Sequence, residues 1–324
     1  MSLALRPTGG QATGPVRAHC PVPRALLSIS VAIAALLLAS SVSAQSGGIE
    51  TFAGETLFAE GTRVSLTSLV EQKDTLRSGT SSVKNPRNLS YTERREVLGI
   101  DHGLSRNLTF TLLVPRVSRR LSGRAGALRG EGLGDVAVMT KWRFLHHTQE
   151  RGATHVSLVT GVETPTGETR EHDGGVRLPP GLQPGSGSWD PFAAVVATAS
   201  RGLWRFDASV FHKLNRTGDQ RYDEGDLTVL EAAVAYRFLH EQYPGPSASA
   251  RLGLQWRHQE RDHAAGRKVL ASGAEEYFLR SGISWHPAPA WDLSISYDVP
   301  LRQDVRATQL STDSRLKLAL GLRF

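Results

Sequence analysis

The sequence predicts an all-β protein, a transmembrane antiparallel up-and-down β-barrel of about 12 strands. Three observations predict it: apolar and polar residues alternate with period 2 in successive segments, short and long connections alternate between these segments, and aromatic residues gather at one end of them. Neighbouring side chains on a strand point to opposite faces, so each segment has an apolar row and a polar row. In a membrane barrel the apolar rows face lipid and the charged rows face a wet lumen.

Residues 1–44 have the features of a secretory signal peptide. Three arginines precede an apolar run over 25–39, and Val42, Ser43 and Ala44 offer a cleavage site. An uncleaved membrane anchor is the alternative. Cleavage leaves 35 basic and 31 acidic residues, a net charge of +4 that is too small to indicate a nucleic-acid-binding protein. It also removes Cys20, so the mature chain would have neither a disulfide nor a thiolate metal site.

Residues 45–61 precede the first alternating segment, and residues 62–324 hold all of these segments. The 45–61 stretch is either a plug inside the barrel or a periplasmic segment, and the sequence leaves both open. The predicted strands, in order, are 62–71, 91–101, 108–117, 134–145, 154–164, 191–199, 203–214, 226–239, 248–259, 273–286, 291–300 and 312–324. Short turns alternate with the longer polar connections 72–90, 118–133, 165–190, 215–225, 260–272 and 301–311. Long external loops and tight periplasmic turns are typical of outer-membrane barrels.

The alternation fixes which face of each strand points inward. In 134–145, for example, Val138, Thr140 and Trp142 alternate with Met139 and Lys141. A Lys or Arg turned to the bilayer midplane would cost about 2–4 kcal/mol, so the charged rows must face the lumen. The predicted lumen residues are Lys141, Arg143, Arg205, Asp207, Lys213, Glu231, Arg237, Arg251, Arg257 and Arg280.

The C-terminal strand and the aromatic residues support the same orientation. In the last nine residues, a leucine row that ends at Phe324 alternates with a row that holds Lys317 and Arg323. The terminal aromatic is similar to the signal by which bacterial outer-membrane barrels engage the barrel-assembly machinery. Aromatic residues at the short-turn end would form an interfacial girdle, and they are Trp142, Phe144, Trp204, Tyr236, Phe238, Trp285, Trp291 and Phe324.

Several motifs in the middle third of the chain resemble one known family. They are 132–135 (GLGD) with 142–144 (WRF), 161–167 (GVETPTG) and 178–190 (LPPGLQPGSGSWD). They resemble the outer-membrane proteins of the meta-pathway of phenol degradation, and the similarity runs from about Tyr91 to Phe324. The resemblance implies a transporter-like barrel connected with the catabolism of aromatic compounds. From the residues themselves, we expect Gly132 and Gly134 to release the chain with positive φ, and the 165–190 loop either to fold into the lumen or to remain exposed.

Three clusters invite chemical interpretations. His155 and Ser157 are similar to the His-x-Ser pair of outer-membrane phospholipases, although polar lumen residues are the simpler interpretation. Asp219, Asp223, Glu224 and Asp226 could bind calcium or form a solvated loop. The arginines at 116, 119, 120, 124 and 129 could attract lipopolysaccharide or an anionic solute, or could simply be solvated.

The sequence therefore predicts a non-enzymatic outer-membrane barrel without a cofactor, a metal or a nucleic-acid partner. We expect a passive channel or transporter for small molecules, with aromatic or hydrophobic cargo implied by the resemblance alone. The expected surroundings are outer-membrane lipid and lipopolysaccharide. A non-transporting structural or adhesive barrel, closed by its own ion pairs, is the alternative, and an outer-membrane hydrolase is a more distant one.

Overall fold

A computed structural model describes residues 53–241 and 244–324. The predicted signal peptide and residues 45–52 of the predicted N-terminal segment lie outside the described residues. Within the described ranges, no helix is long and apolar enough to cross a membrane.

Twelve long antiparallel strands form a closed barrel. In chain order they are β1 (Thr62–Lys73), β2 (Ser90–Ser105), β3 (Leu108–Gly123), β4 (Ala137–Gln149), β5 (Gly152–Glu163), β6 (Asp190–Arg201), β7 (Trp204–Lys213), β8 (Leu227–His240), β9 (Ser247–Gln259), β10 (Ala274–His286), β11 (Trp291–Ser311) and β12 (Ser314–Arg323). Each strand pairs with its neighbours in sequence, and β1 pairs with β12 to close the wall. The predicted fold class is confirmed.

The strand register produces the two predicted faces. On the closing pair, Leu66 lies opposite Leu320 on the outer face, while Arg63 lies opposite Arg323 on the inner face. Leu66 and Leu320 are exposed, as lipid-facing side chains should be. At the short-turn end, the rings of Trp204 and Tyr236 approach to 4.8 Å across neighbouring strands, within the predicted aromatic girdle.

At the long-loop end, some strands continue where the sequence predicted loops. β3 extends to Gly123 and forms a hairpin with the short strand Gly126–Leu133, inside the predicted 118–133 loop. β11 extends to Ser311, through the predicted 301–311 loop, and pairs there with the short strand Thr75–Gly79. Beyond the lipid, a strand no longer needs an apolar row. The backbone ladder therefore continues although the alternation that predicts a strand has disappeared.

The interior is not uniform around the barrel. The inner rows of β4 to β8 bring together a buried apolar cluster made of Ala137, Met139, Val159, Phe192, Ala194, Val196, Phe211, Leu227 and Val229. Within it, the rings of Phe192 and Phe211 lie 5.7 Å apart. Buried charged side chains are instead concentrated on β8 to β12 and β1 to β3, so the lumen has an apolar side and a charged side.

Candidate functional site: the lumen and the segments that close it

Ion pairs fill the charged side of the lumen. Glu231 on β8 accepts hydrogen bonds from Arg251 at 2.9 Å and from Arg280 at 2.6 Å. Arg280 also donates to both oxygens of Asp298, at 2.7 and 2.8 Å. Arg251 contacts Asp207 at 3.1 Å, which joins the network to β7. An unpaired charge in such a narrow interior would be costly, so each arginine is held between two carboxylates.

A second network fills the outer half, towards the long loops. Glu93 accepts from Arg95 at 2.7 Å and from Arg119 at 3.0 Å, and all three side chains are buried. Glu71 accepts from Arg315 at 2.9 Å, and the Arg315 guanidinium lies 4.3 Å from the centre of the Phe278 ring. None of these residues was among the predicted lumen residues, and Arg119 was predicted to belong to an external arginine cluster. Their inward positions follow from the strand register, which places them in the same rows as the predicted lumen residues.

The structure places the predicted lumen residues in three environments. Asp207, Lys213, Glu231, Arg257 and Arg280 are buried. Lys141, Arg143, Arg205 and Arg251 are partly buried, and Arg237 continues an inner row but lies exposed at the short-turn end. Lys213 makes a 2.8 Å ion pair with Glu163.

The N-terminal segment 53–61 lies inside the lumen at the short-turn end. Lys141 donates from its Nζ to the carbonyls of Ala53 (3.0 Å) and Glu55 (3.2 Å). The backbone N–H of Gly54 donates to Thr198 at 3.0 Å, and the Ser157 hydroxyl donates to the Gly54 carbonyl at 2.5 Å. The segment therefore rests on β4, β5 and β6, directly below the apolar cluster on those strands.

Glycine at position 54 is required by close contact with the wall. A Cβ atom there would lie 2.8 Å from the His155 carbonyl oxygen and 2.9 Å from the Thr198 backbone nitrogen. Next to it, the Glu55 carboxylate makes two hydrogen bonds with the Arg205 guanidinium, at 2.5 and 2.9 Å. Both side chains of this pair are about one third exposed, at 35% and 34%.

The connection 164–189 folds back into the opposite, long-loop end. Leu178 and Leu182 are buried against Tyr91 and Leu121 of the barrel wall. Arg119 donates a hydrogen bond to the Gln183 carbonyl, which holds the loop to the second ion-pair network. Of the two arrangements that the sequence left open, the structure shows the inward-folded one.

The glycines before β4 have a different role from the predicted one. Neither Gly132 nor Gly134 has positive φ. Instead, a Cβ at Gly132 would lie 2.3 Å from the Glu168 carboxylate, and one at Gly134 would lie 3.0 Å from Val117. Asp135 does not start the strand but accepts hydrogen bonds from the backbone of Gly167 (2.9 Å) and Ser186 (2.6 Å). Residues 132–135 therefore hold the folded 164–189 loop against the wall.

A small cavity of about 40 Å³ lies between this loop and the wall. Val97, Leu113, Pro115 and Ala137 provide apolar lining, and Arg95, Arg119, Lys213, Glu163 and Glu224 provide charged lining. Glu224 comes from the connection between β7 and β8. Burial raises the pKa of Glu224 to about 8, an effect that the nearby charges of Lys213 and Arg119 only partly offset. Close to neutral pH, this carboxyl is mostly protonated.

The clusters with a possible chemical role are dispersed. Ser157 bonds to Gly54, whereas His155 lies 3.1 Å from His146, Nδ1 to Nδ1. Asp219 pairs with Arg177 at 2.6 Å, and Asp226 accepts from the Asn215 backbone at 2.9 Å. Within 53–241 and 244–324, no three His, Cys, Asp or Glu side chains are arranged to hold a metal ion.

The predicted arginine cluster is divided between the two faces of the wall. Arg119 is buried in the lumen network, so its assignment to an external cluster was wrong. The other four arginines, at 116, 120, 124 and 129, are exposed. Strand alternation gives the reason, since positions 116 and 120 share one face of β3 and position 119 lies on the other.

A closed barrel with apolar outer rows, an aromatic girdle and a charged interior defines an outer-membrane β-barrel protein. Residues 83–317 match the family described as "Putative MetA-pathway of phenol degradation", and the chain belongs to that family. This confirms the resemblance found in the sequence, and the protein is located in the bacterial outer membrane. No curated protein matches the chain.

Three solved structures that match the chain differ widely in how well they superpose on it. The COG4313 outer membrane channel from Pseudomonas putida F1 matches with a TM-score of 0.68 at 17% identity, covering 86% of this chain and 100% of that one. The β domain of the Bordetella autotransporter BrkA matches less well, with a TM-score of 0.45, 12% identity, and coverage of 82% and 100%. A Pseudomonas aeruginosa FadL homologue has a TM-score of 0.42 and 8% identity, with coverage of 88% and 99%. At 17% identity, the first match establishes the shared barrel fold and nothing finer.

Proposed function

We propose that the protein is a passive channel for small molecules, closed in the described state by the N-terminal segment 53–61. The observation that carries the proposal is the contrast between the two sides of the lumen. The charged side is held by buried ion pairs, each of which would cost about 3–5 kcal/mol to break by removing one partner. Segment 53–61 is held to the other side by separate hydrogen bonds, worth about 1 kcal/mol each and more where the charged Lys141 donates, and by the partly exposed Glu55–Arg205 pair. Displacing the segment breaks these contacts but leaves the buried ion pairs of the barrel wall intact.

The path would run along the apolar side of the lumen. Gly54 is bonded to Ser157 and Thr198, which share inner rows with Val159 and Val196 of the apolar cluster. Removing the segment would join this apolar wall to the periplasm. At the other end, the cavity between the docked 164–189 loop and the wall has a volume of about 40 Å³, enough for water but well below the ~150 Å³ that holds a benzene ring. Passage of an aromatic ring therefore also requires the mouth to widen.

We propose small aromatic compounds that carry a hydroxyl or another polar group as the cargo. The family description, which refers to phenol degradation, supports this class. The cavity lining supports it too, because Leu113 and Pro115 offer apolar contact to a ring while Arg119 and Glu224 offer hydrogen bonds to a polar substituent. The strongly charged opposite wall makes a purely hydrocarbon cargo less suitable.

Reconstitution of the mature protein tests both the proposed channel and the proposed cargo. We expect planar bilayers to show brief openings of the intact protein and sustained conductance when residues 53–61 are replaced by a Gly/Ser sequence of the same length. We also expect liposomes that contain this variant to take up phenol faster than a sugar. Equal and negligible conductance of both proteins would refute the channel and favour the structural barrel. Conductance with uptake of sugar ahead of phenol would refute only the cargo.

A further inference from the structure

Four arginines project outward from one part of the barrel wall. They are Arg94 on β2, Arg116 and Arg120 on β3, and Arg129 on the hairpin strand Gly126–Leu133, and all are exposed while alternate positions on β2 and β3 are buried. Arg94 lies opposite Ser118, between Arg116 and Arg120, and Arg120 lies opposite Arg129. Diagonal positions on paired strands are about 7–8 Å apart. The four side chains therefore form one surface, the outer arginine patch.

The patch begins where the lipid-facing apolar rows end. On β3 the outer row changes from Leu112 and Val114 to Arg116, and on β2 it changes from Leu98 to Glu96 and Arg94. This change occurs at the long-loop end of the strands, which is the extracellular side of an outer-membrane barrel. The arginines therefore lie at the level of the outer-leaflet headgroups and face the lipid rather than the mouth of the lumen.

The charge of the patch is positive, and two of its arginines share one carboxylate. Glu131 pairs with Arg116 at 2.7 Å and with Arg129 at 2.5 Å, although both guanidinium side chains remain 63% exposed. With Glu96 and Glu131 included, the four arginines leave a net charge of +2 on this surface. Guanidinium groups bind phosphate oxygens in a bidentate manner, which favours arginine at phosphate sites.

We propose that the outer arginine patch binds the phosphate groups of lipopolysaccharide in the outer leaflet. Leu133 lies opposite Arg116 and is 51% exposed, so it offers apolar contact to an acyl chain just below the phosphates. The site is independent of the proposed channel, because none of the four arginines lines the lumen.

Binding of lipopolysaccharide to the purified, delipidated full-length barrel in detergent tests this site. The test variant combines Arg116→Gln, Arg120→Gln and Arg129→Gln. The matched control combines the same change at Arg106, Arg151 and Arg201, three exposed arginines in or next to the short turns at the opposite end. We expect the test variant to bind lipopolysaccharide about tenfold more weakly, as the loss of three exposed charge contacts implies, and the control to bind like the wild type.

A second measurement does not depend on the folding of any variant. Wild-type protein should bind enzymatically dephosphorylated lipopolysaccharide as weakly as the test variant binds the intact form. Equal binding of intact and dephosphorylated lipopolysaccharide would overturn the proposal, as would equal weakening by the test and control variants. Conductance in planar bilayers should be the same for all three proteins, so failure here leaves the channel proposal standing.

Discussion

The ion pair between Glu55 and Arg205 gives the sharpest test of the lumen-closing segment. Glu55→Gln removes one negative charge from segment 53–61 but preserves the size of the side chain and its ability to accept one hydrogen bond. Arg205 keeps its contact with Asp207, at 3.0 Å, so the wall itself is not left with an unpaired charge. We therefore expect the barrel to stay folded while the segment leaves the lumen more often.

The size of the effect follows from the geometry of the pair. A bidentate, charge-assisted contact is worth about 1.5–3 kcal/mol when buried, and an exposed ion pair is worth less than about 1 kcal/mol. Because the two side chains are about one third exposed, we expect a loss of about 1–2 kcal/mol. This corresponds to an approximately 5- to 30-fold rise in the ratio of undocked to docked segment.

Single-channel recordings measure this ratio as open time divided by closed time, from which the open probability follows. The control is Glu60→Gln in the same segment, because the Glu60 side chain is exposed and the residue is held to the described part of the wall through its backbone N–H, which donates to the Gly103 carbonyl at 2.7 Å. Both variants change the net charge equally, so a general electrostatic effect would raise open probability in both. The reasoning fails if Glu55→Gln gates like the wild type, or if Glu60→Gln opens the channel as much.

Three further predictions concern the rest of the lumen. Because the pKa of Glu224 is raised to about 8, the cavity gains a negative charge as the pH rises through this value. Cation selectivity, measured from reversal potentials, should therefore increase with pH in the wild type and stay constant in Glu224→Gln. Glu231→Ala should lower the free energy of unfolding in urea by about 3 kcal/mol. This is near the lower limit for a broken buried pair, because Asp207 still holds Arg251 and Asp298 still holds Arg280. The control Glu150→Ala, in an exposed turn, should leave the free energy of unfolding almost unchanged. Gly130→Ala should undock the 164–189 loop, because its Cβ would lie 2.0 Å from the Leu182 carbonyl oxygen. Trypsin should then cleave after Arg177 faster than in the control variant Ala127→Ser, which changes an exposed residue of the same short strand.

Strand alternation and loop lengths were sufficient to predict the barrel, because a charge at the bilayer midplane costs about 2–4 kcal/mol, so an apolar row marks each membrane-crossing stretch. The same rule explains where prediction failed. Above the membrane the constraint disappears, and β11 continues to Ser311 through a stretch with the composition of a loop. The prediction of positive φ at Gly132 was wrong because the requirement for glycine is not local. It comes from close contact with Glu168, in a loop that is distant in sequence.

Inward charges were predictable as a class but not as partners. Alternation places Arg280 and Glu231 on inner rows, whereas their 2.6 Å contact depends on how far β8, β9 and β10 are shifted along one another. That shift is set by side-chain packing around the whole barrel. The N-terminal segment was harder still, because it has no periodicity and its bonds run mostly from its backbone to the wall side chains Lys141, Ser157 and Thr198.

Under the proposed function, the unequal filling of the lumen would let a narrow barrel be both stable and able to open. A carboxylate held between two arginines, as Glu231 is, resists rearrangement, because moving one partner would leave an unpaired charge in a low-dielectric interior. On the opposite wall, Phe192, Phe211 and Val196 lose only apolar contacts when a neighbouring segment moves, and a hydrophobic solute can replace those contacts. The charged side thus holds the wall together, and the opening that we propose lies beside the apolar side, where residues 53–61 are bound.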